Sequence, residues 1–316
     1  MKQAVVTGGA GFIGSHLTKA LLEQGVQVTV IDDLSSGKAA SIPPEAGFFK
    51  TDVASTEARD KIAELAPDVV FHLAAQADVQ RSIQNPLADC ETNVAGTLQV
   101  LAGLRQAGRG KIVFASTSAV YGMLQKEQIR EEDPTAAVSF YGLSKRTAED
   151  YIRLHHSLYC TRYTILRYGN VYGPGQTPKG EGGVVAVFLE RLKRGEPLTI
   201  YGDGEQTRDF IYVKDIVSAN LAALERGDGE TINVSTGRTT RIRALAEKMR
   251  EEAGAATPIH YAPAKAGDIR HSCLDNSRLL QVLMAEPRHS VDQGLRETLR
   301  SAGLLPGHQP DETDIP

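Results

Sequence analysis

The segment TGGAGFIG at residues 7–14 constrains the fold of this chain more than any other feature. It follows an apolar run, QAVVT at 3–7, and leads into residues 12–24, where apolar side chains recur at helical spacing. Glycines in this context permit a tight turn, a close backbone approach to a pyrophosphate and close packing of helix on strand. The segment therefore predicts a dinucleotide-binding loop whose helix N-terminus faces the phosphates. The residues expected at this loop are Gly8, Gly11, Phe12, Ile13 and Gly14.

The same alternation of short apolar runs and longer amphipathic stretches continues along the chain. Runs rich in Val, Ile, Phe and Thr are typical of strands buried on both faces of a parallel sheet. They are QVTVI (27–31), VVFHL (69–73), KIVFAS (111–116) and YTILR (163–167). Segments at helical spacing, such as 85–107 and 141–159, lie between them. The chain is therefore predicted to be α/β, with a Rossmann-type doubly wound parallel sheet.

The pattern loosens after Arg167, where a loop rich in glycine and proline occupies residues 169–183. We expect the second half to add a smaller mixed α/β domain at the carboxyl edge of the sheet. The predicted domains are 1–168 plus about 210–236 for the dinucleotide, and 169–209 plus about 237–303 for the substrate. Residues 304–316 carry few apolar side chains and are expected to form a flexible tail.

Charge and composition exclude several classes of protein. The 316 residues include 35 Lys and Arg against 39 Asp and Glu, so there is no basic excess to displace counterions from a nucleic acid. No segment approaches the roughly 18 apolar residues of a membrane span, and the first residues do not form a secretory signal. The three cysteines are far apart and predict neither a disulfide framework nor a metal site. We expect a cytoplasmic protein that binds neither nucleic acid nor membrane.

Acidic residues close the second and third predicted strands. Asp32 lies about 20 residues after the glycine loop, where a carboxylate accepts hydrogen bonds from the adenosine ribose. Because that carboxylate would repel a 2′-phosphate, NAD is favoured over NADP. Asp33 beside it is also a cofactor candidate, although a solvated turn residue explains it as well. Asp52 and Val53 are expected to end the next strand near the adenine, with a helix cap at Asp52 as the alternative.

Tyr141 and Lys145 are four residues apart in a predicted helix, so they face one side. A phenol is a poor base near neutral pH, but a neighbouring ammonium and the positive nicotinamide ring favour the phenolate. The pair therefore predicts a general base. Thr117 follows a buried strand, at the edge of the sheet where ligands bind, and can hold a sugar hydroxyl against Tyr141.

These motifs occur in an order that resembles the extended short-chain dehydrogenase/reductase family, and within it the NAD-dependent nucleotide-sugar epimerases. The resemblance covers about residues 3–300. It rests on TGGAGFIG (7–14), HLAA (72–75), Asn93–Thr97, STSAVYG (116–122), YGLSK (141–145), RYGNVYGPG (167–175), GDGEQTRDFIYVKD (202–215) and GDIRHS (267–272).

The resemblance implies roles for individual residues. Thr117, Tyr141 and Lys145 match the family's catalytic triad. The cofactor would also contact the backbone of Leu73, Ala74 and Ala75, with Asn93 as a supporting residue and Tyr168 beside the nicotinamide. The nucleotide sugar would be held by Asn170, Val184, Tyr201, Arg208, Lys265, Asp268 and Ser272. Of these, Val184 and Tyr201 would contact the uracil and Arg208 the diphosphate. The family also implies a homodimer built on residues 85–107 and the helix from Tyr141.

Two positions depart from the family pattern. Lys265 stands where a second diphosphate arginine is usual, and lysine lacks the planar fork that grips two oxygens. Arg270 nearby is a candidate to compensate. Ser272 occupies the position that limits bulk at the sugar's 2-substituent, so a small residue there predicts that 2-acetamido sugars fit as well.

The activity these features imply is epimerisation at C4 of a UDP-hexose, UDP-glucose or UDP-galactose, with UDP-N-acetylhexosamines as further substrates. UDP-glucuronate 4-epimerisation is the alternative of the same class. In similar 4,6-dehydratases an Asp-Glu pair follows the threonine, and this chain has Ser118 and Ala119 there. A protein that only senses NAD would not need the set Thr117, Tyr141 and Lys145.

Overall fold

The computed structural model describes residues 2–124, 126–178, 182–264 and 269–305. The predicted substrate residues Lys265 and Asp268 lie outside these ranges, as does the predicted tail from residue 306 onward.

Strands and helices alternate through the first part of the described chain. The strands are β1 (Gln3–Thr7), β2 (Gln27–Asp32), β3 (Gly47–Lys50), β4 (Val69–His72), β5 (Lys111–Thr117), β6 (Arg162–Tyr168), β7 (Asn170–Tyr172), β8 (Leu198–Tyr201), β9 (Thr207–Arg208), β10 (Phe210–Tyr212), β11 (Glu230–Val234), β12 (Thr240–Arg241) and β13 (Ile259–Ala262). The helices are α1 (Phe12–Glu23), α2 (Thr56–Leu65), α3 (Val79–Gln84), α4 (Pro86–Cys90), α5 (Gly96–Ala107), α6 (Phe140–Tyr159), α7 (Val184–Lys193), α8 (Val213–Ala222), α9 (Ile242–Glu252) and α10 (Val291–Ser301).

Seven of the strands form one parallel sheet in the order β11-β6-β5-β4-β1-β2-β3. The order reverses between β1 and β4, which is the topological switch point where Rossmann-type sheets bind ligands. The predicted doubly wound fold is therefore confirmed. Alternate residues of β1 show why its sequence is apolar throughout: Ala4 and Val6 pack into one core and Val5 into the other, all fully buried.

Three two-stranded sheets lie outside the large one. They pair β7 with β10, β9 with β12, and β8 with β13. The strand β9 contains only Thr207 and Arg208, so its position depends on few backbone hydrogen bonds. These small sheets carry several of the predicted substrate residues.

The prediction that Asp52 and Val53 end a strand is wrong. The strand β3 ends at Lys50, and Asp52 lies in the following turn, where its carboxylate accepts a hydrogen bond from the Ala54 N–H at 2.8 Å. The alternative of a helix cap at Asp52 is also wrong, because Ser55 caps α2 by accepting from the Ala58 N–H at 3.1 Å. Within the described ranges, none of the helices combines the length and apolarity needed to cross a membrane.

Candidate active site

A cleft of about 230 Å³ opens at the carboxyl edge of the large sheet. It is bounded by the glycine loop on one side and by the ends of β5, β6 and β7 on the other. Its lining includes Gly8, Gly11, Phe12, Ile13, Gly14, Leu73, Ala75, Thr117, Tyr141, Lys145, Tyr168, Asn170 and Val184 from the predicted set. The fold thus brings together in one cavity residues that are far apart in the sequence.

The glycine loop leaves space that any side chain would fill. Gly8 has a left-handed φ of 72°, and a Cβ there would lie 2.6 Å from the backbone nitrogen of Ala74. A Cβ on Gly14 would lie 2.1 Å from the Gly8 carbonyl oxygen, so the helix α1 could not start this close to the loop. The N-cap of α1 is Gly11, and the N–H groups of its first turn have no acceptor within the helix. The loop therefore fits a dinucleotide pyrophosphate.

The two aspartates after β2 have different environments. The buried Asp32 accepts hydrogen bonds from the N–H groups of Ala10 at 3.0 Å and Leu34 at 2.8 Å. Burial raises the pKa of Asp32, although both N–H donors oppose the shift. The carboxylate thus ties the glycine loop to the end of β2, beside the predicted ribose site. Asp33 is exposed and accepts from the N–H and hydroxyl of Ser35, which is the solvated turn geometry that the sequence left open.

A chain of side-chain hydrogen bonds fixes the backbone under the cleft. His72, at the end of β4, lies 2.8 Å from the Thr7 hydroxyl through Nδ1 and 3.0 Å from the Thr97 hydroxyl through Nε2. Thr7 in turn accepts from the Ala74 N–H at 3.2 Å, and Thr97 donates to the Asn93 carbonyl at 2.6 Å. Because Thr97 uses its proton on that carbonyl, Nε2 of His72 carries the imidazole proton and Nδ1 accepts from Thr7.

The imidazole of His72 is held in its neutral form. Complete burial, with a further contribution from the positive charge of Lys145, lowers the pKa of His72 to about 3. Its two ring nitrogens bond to threonine hydroxyls and not to backbone groups.

Asn93 connects the segment after β4 to the helix that carries Tyr141. It lies in a π-helical turn, Glu91–Ala95, between α4 and α5. Its amide accepts from the Gln76 N–H at 2.9 Å and donates to the Gln76 carbonyl and to the Ser144 hydroxyl, both at 2.9 Å. Ser144 donates to the Tyr141 carbonyl at 3.0 Å. Asn93 does not line the cleft, so the geometry agrees with an indirect, supporting contribution.

Tyr141 and Lys145 lie in the first two turns of α6 and both face the cleft. The helix begins at Ser139, whose hydroxyl accepts from the Gly142 N–H at 3.1 Å. The Lys145 side chain is almost fully buried, and its Nζ donates to the Ala115 carbonyl at 2.9 Å. That bond fixes the ammonium beside the last residues of β5, where Thr117 faces the same cavity. The three predicted catalytic residues therefore meet in one place.

The neighbouring hydroxyl of Ser116 is already engaged. It donates to the buried Glu149 at 2.6 Å, and Arg167 binds both oxygens of the same carboxylate at 2.9 and 2.6 Å. Burial alone would raise the pKa of Glu149, but Arg167 and Ser116 outweigh it and lower the pKa. Ser116 is therefore a satisfied core group, and Thr117 is the hydroxyl that remains at the cleft.

The predicted nucleotide residues are more scattered. Asn170 and Val184 line the cleft, while Tyr201, Arg208 and Ser272 lie beyond its lining. One guanidinium nitrogen of Arg208 donates to the carbonyl oxygens of Thr207 at 2.8 Å and Ile269 at 2.6 Å. Tyr201 is 39% exposed at the end of β8. The Ser272 N–H donates to the carbonyl of Thr207, the first residue of β9, at 3.3 Å.

Two charged residues near Arg208, Glu205 and Arg270, form ion pairs with other side chains. Glu205, three residues before Arg208, pairs with Arg241 and Arg243 at 3.2 and 3.1 Å. Arg270, considered as a replacement for a diphosphate arginine, is bound through two nitrogens by Asp203 at 2.7 and 2.9 Å. Arg270 is therefore paired with a carboxylate on the protein surface.

Several residues of the cleft were not among the predicted site residues. They are Ala77, Ala115, Ser116, Gly169, Val171, Gln176, Gly183, Val185 and Phe210. Ala115 and Ser116 could have been found from their position at a strand end, because such positions line the crevice of a parallel sheet. Phe210 could not, since β10 is only three residues long and lies in a separate small sheet.

The geometry agrees with the comparisons to known proteins. Residues 4–235 match the model of the NAD dependent epimerase/dehydratase family. A UDP-glucose 4-epimerase of Mycolicibacterium smegmatis is 38% identical over 304 residues, covering 94% of this chain and 97% of the relative. A crystal structure of UDP-glucose 4-epimerase from Thermotoga maritima with UDP-glucose superimposes with a TM-score of 0.91 at 42% identity, covering 94% and 97% of the two chains.

The cofactor of the family appears in a second structure. The Thermus thermophilus UDP-glucose 4-epimerase in complex with NAD has a TM-score of 0.89 at 39% identity, with 94% of this chain and 97% of that chain covered. Other relatives carry the names UDP-glucuronate 4-epimerase and UDP-N-acetylglucosamine 4-epimerase, so the sugar differs among similar proteins. The chain belongs to the NAD-dependent epimerase/dehydratase family, and within it to the nucleotide-sugar epimerases that use NAD.

Proposed function

We propose that this protein interconverts UDP-glucose and UDP-galactose by epimerisation at C4, with UDP-N-acetylhexosamines as further substrates. The observation that carries the proposal is the convergence of Thr117, Tyr141 and Lys145 with the glycine loop on a single cleft. A hydroxyl, a phenol and an ammonium at the end of a dinucleotide site are the groups needed to oxidise a sugar alcohol reversibly.

In this proposal Tyr141 takes the proton from the sugar O4 and later returns it. Lys145, fixed by the Ala115 carbonyl, favours the phenolate of Tyr141 through its positive charge. Thr117 orients O4 by a hydrogen bond. NAD, when bound, supplies the reversible acceptor for the hydrogen and electron pair at C4. The 4-keto sugar stays bound to the protein through its nucleotide. It turns about the diphosphate linkage and is then reduced at C4 on its opposite face.

The cofactor would be held by the loop and strand ends described above. We propose contacts from Gly8, Gly11, Phe12, Ile13 and Gly14 to the phosphates, and from Asp32 to the ribose. Leu73, Ala75 and Tyr168 would contact the nicotinamide half, and Ala74 and Asn93 would support that backbone. Asp33, Asp52 and Val53 lie near the adenine end, and the geometry of Asp33 and Asp52 makes them weaker candidates.

The nucleotide sugar would extend from the cleft toward the small sheets. We propose that Asn170 and Arg208 contact the diphosphate and that Val184 and Tyr201 contact the uracil, with Lys265, Asp268 and Ser272 completing this end. The same reasoning assigns residues 1–168 and about 210–236 to the cofactor-binding domain, and 169–209 and about 237–303 to the nucleotide-sugar domain.

The charge of the cleft favours a neutral sugar. Among the described residues that line it, Lys145 is the one with a charged side chain. A uronate would need a second cation for its carboxylate, because an unpaired charge in such a cavity costs desolvation energy. The positions after Thr117 that carry an acid and a base in dehydratases are Ser118 and Ala119, and the Ala119 N–H donates to Thr117 at 3.1 Å. UDP-glucuronate epimerisation and dehydration are therefore the less favoured alternatives.

We also propose that the protein is a cytoplasmic homodimer. The outer face of α6 carries Leu143, Tyr151, Leu154 and Leu158 at helical spacing, all between 41% and 61% exposed. The neighbouring helices α3 and α4 extend this apolar face with Val79, Ile83 and Leu87. A second copy of the same face would cover it. Sedimentation should give a dimer, and replacing Leu154 and Leu158 together by Glu should give a monomer, whereas Leu280→Glu elsewhere on the surface should not.

A substrate panel tests the function. Purified holoenzyme is incubated without added cofactor with UDP-galactose, UDP-N-acetylgalactosamine, UDP-glucuronate and dTDP-glucose, and the products are separated. The proposal predicts UDP-glucose from the first and the C4 epimer of the second. A 4-keto-6-deoxy product would instead assign a dehydratase, and turnover restricted to UDP-glucuronate would assign the uronate as substrate.

A further inference from the structure

The phenol of Tyr168 is held from behind the cleft by Asn220. Tyr168 ends β6 with its ring in the lining of the cleft, and Asn220 lies in α8 at 1% exposure. The amide nitrogen of Asn220 donates to the Tyr168 oxygen at 2.8 Å, and the amide oxygen lies 3.1 Å from the same hydroxyl. The tyrosine is thus engaged by both ends of one buried amide.

The orientation of that amide is set by a third contact. Nδ2 of Asn220 also donates to the Ile216 carbonyl at 2.8 Å. A carbonyl only accepts hydrogen bonds, so flipping the amide would place two oxygens against each other. The amide therefore has one stable orientation, in which it donates to Tyr168 and accepts from it. Because the amide is buried, replacing it by an apolar group removes hydrogen bonds that bulk water cannot readily restore.

The helix that carries Asn220 also packs against α1, whose N-terminus faces the predicted phosphate site. The helix α8 therefore contacts two walls of the cleft, the Tyr168 ring through Asn220 and the helix of the glycine loop through its own packing against α1. An epimerase returns its NAD unchanged in every turnover, so the enzyme benefits from keeping it bound. We propose that Asn220 is a positioning residue that holds the Tyr168 ring against the cofactor and thereby slows the dissociation of NAD.

The test measures exchange of bound NAD against labelled NAD in the absence of any sugar. Asn220→Leu keeps the approximate volume and removes the amide, and Tyr168→Phe removes only the hydroxyl. Each is expected to accelerate exchange by about tenfold, the scale of a lost buried hydrogen bond. An exchange rate unchanged from the parent in either variant overturns the proposal. Because no sugar is present, failure of the proposed epimerisation would leave this result unaffected.

The double variant separates positioning from general weakening. If Asn220 acts through the Tyr168 hydroxyl, then Asn220→Leu adds no further acceleration in the Tyr168→Phe background. Additive accelerations would overturn the proposal, since Asn220 would then act by another route. Should Asn220→Leu fail to fold, the Tyr168→Phe variant still decides the question, because it leaves the packing of α8 intact.

A matched control exists in the same molecule. Asn233 is also fully buried and accepts a hydrogen bond from Tyr121 at 2.7 Å, but neither residue lines the cleft. Asn233→Leu is expected to lower stability and to leave NAD exchange at the parental rate. If Asn233→Leu accelerates exchange as much as Asn220→Leu, both effects come from loss of stability, and the positioning role is rejected.

Discussion

The cofactor end and the proposed nucleotide end of this protein are built by different means. At the cofactor end, adjacent parallel strands terminate along one edge, so backbone register alone brings Thr117 level with Tyr168. At the nucleotide end, Arg208 and Tyr201 belong to sheets of two strands, and β9 is two residues long. If Arg208 and Tyr201 hold the nucleotide as proposed, the identity of the substrate depends on short elements that can vary independently, whereas the large sheet fixes the positions of the catalytic candidates.

Replacing Tyr141 by Phe should give the largest effect and should leave both ends of the site intact. Loss of the base removes proton transfer at O4, so kcat should fall by roughly 10² to 10⁴ while NAD and UDP-sugar stay bound. Steady-state kinetics and a binding titration on the same preparation measure this. Activity close to that of the parent would show that another group serves as the base.

Replacing Arg208 by Lys should affect the nucleotide end alone. Lysine keeps the charge but loses the planar fork, so KM for the UDP-sugar should rise about tenfold with a smaller change in kcat. Arg270→Lys is the matched control, because Arg270 is held on the surface by Asp203, and it should leave KM unchanged. An equal rise in KM for both variants would contradict the assignment of Arg208 to the diphosphate.

The pH dependence of stability should report on His72 at the cofactor end. Its pKa is lowered from 6.5 to about 3 in the folded protein. Between these two values the imidazole is protonated in the unfolded chain and neutral in the folded protein. The parent should therefore lose about 1.4 kcal/mol of unfolding free energy per pH unit as the pH falls below about 6.5. Urea unfolding measures the difference in unfolding free energy between the parent and His72→Gln, and this difference should shrink by that amount for each pH unit as the pH falls. A difference that does not change with pH would argue against a buried neutral imidazole.

Replacing Ser272 by Tyr should give the smallest and most selective effect. Added bulk at the sugar's 2-substituent should reduce kcat/KM for UDP-N-acetylgalactosamine several-fold and leave UDP-galactose nearly unchanged. Competition between the two substrates in one reaction measures the ratio directly. Equal losses on both would remove Ser272 as the determinant of the 2-substituent.

The sequence predicted the large sheet well because its central strands are buried on both faces. Such strands appear as unbroken runs of Val, Ile and Phe, as in β5, where Ile112, Val113 and Phe114 are all fully buried. The edge strand β3 is short and mostly exposed, so it carries no comparable run. Without such a run the end of β3 could not be located from the sequence, so the strand was extended to Asp52 and Val53. The start of α2, and with it the cap at Ser55, was misplaced for the same reason.

The candidate site was predictable in its main residues and not in the contacts that support them. Thr117 and the glycine loop were identified because their position and spacing have a geometric meaning, whereas Tyr168 and Asn170 were expected from the family resemblance alone. The bond between Tyr168 and Asn220 joins positions 52 residues apart, and nothing in either local sequence indicates it. Likewise, the pairing of Arg270 with Asp203 depends on the conformation of the loops that carry the two residues, which no periodicity encodes.

The most direct test of the account follows the hydrogen at C4. UDP-galactose carrying deuterium at C4 is converted in ordinary water, and the UDP-glucose formed is analysed by NMR and mass spectrometry. The account predicts that deuterium remains at C4 of the product, because the hydrogen leaves and returns inside the cleft while only the O4 proton passes through Tyr141. UDP-glucose with protium at C4 would contradict it, since the hydrogen would then have exchanged with solvent.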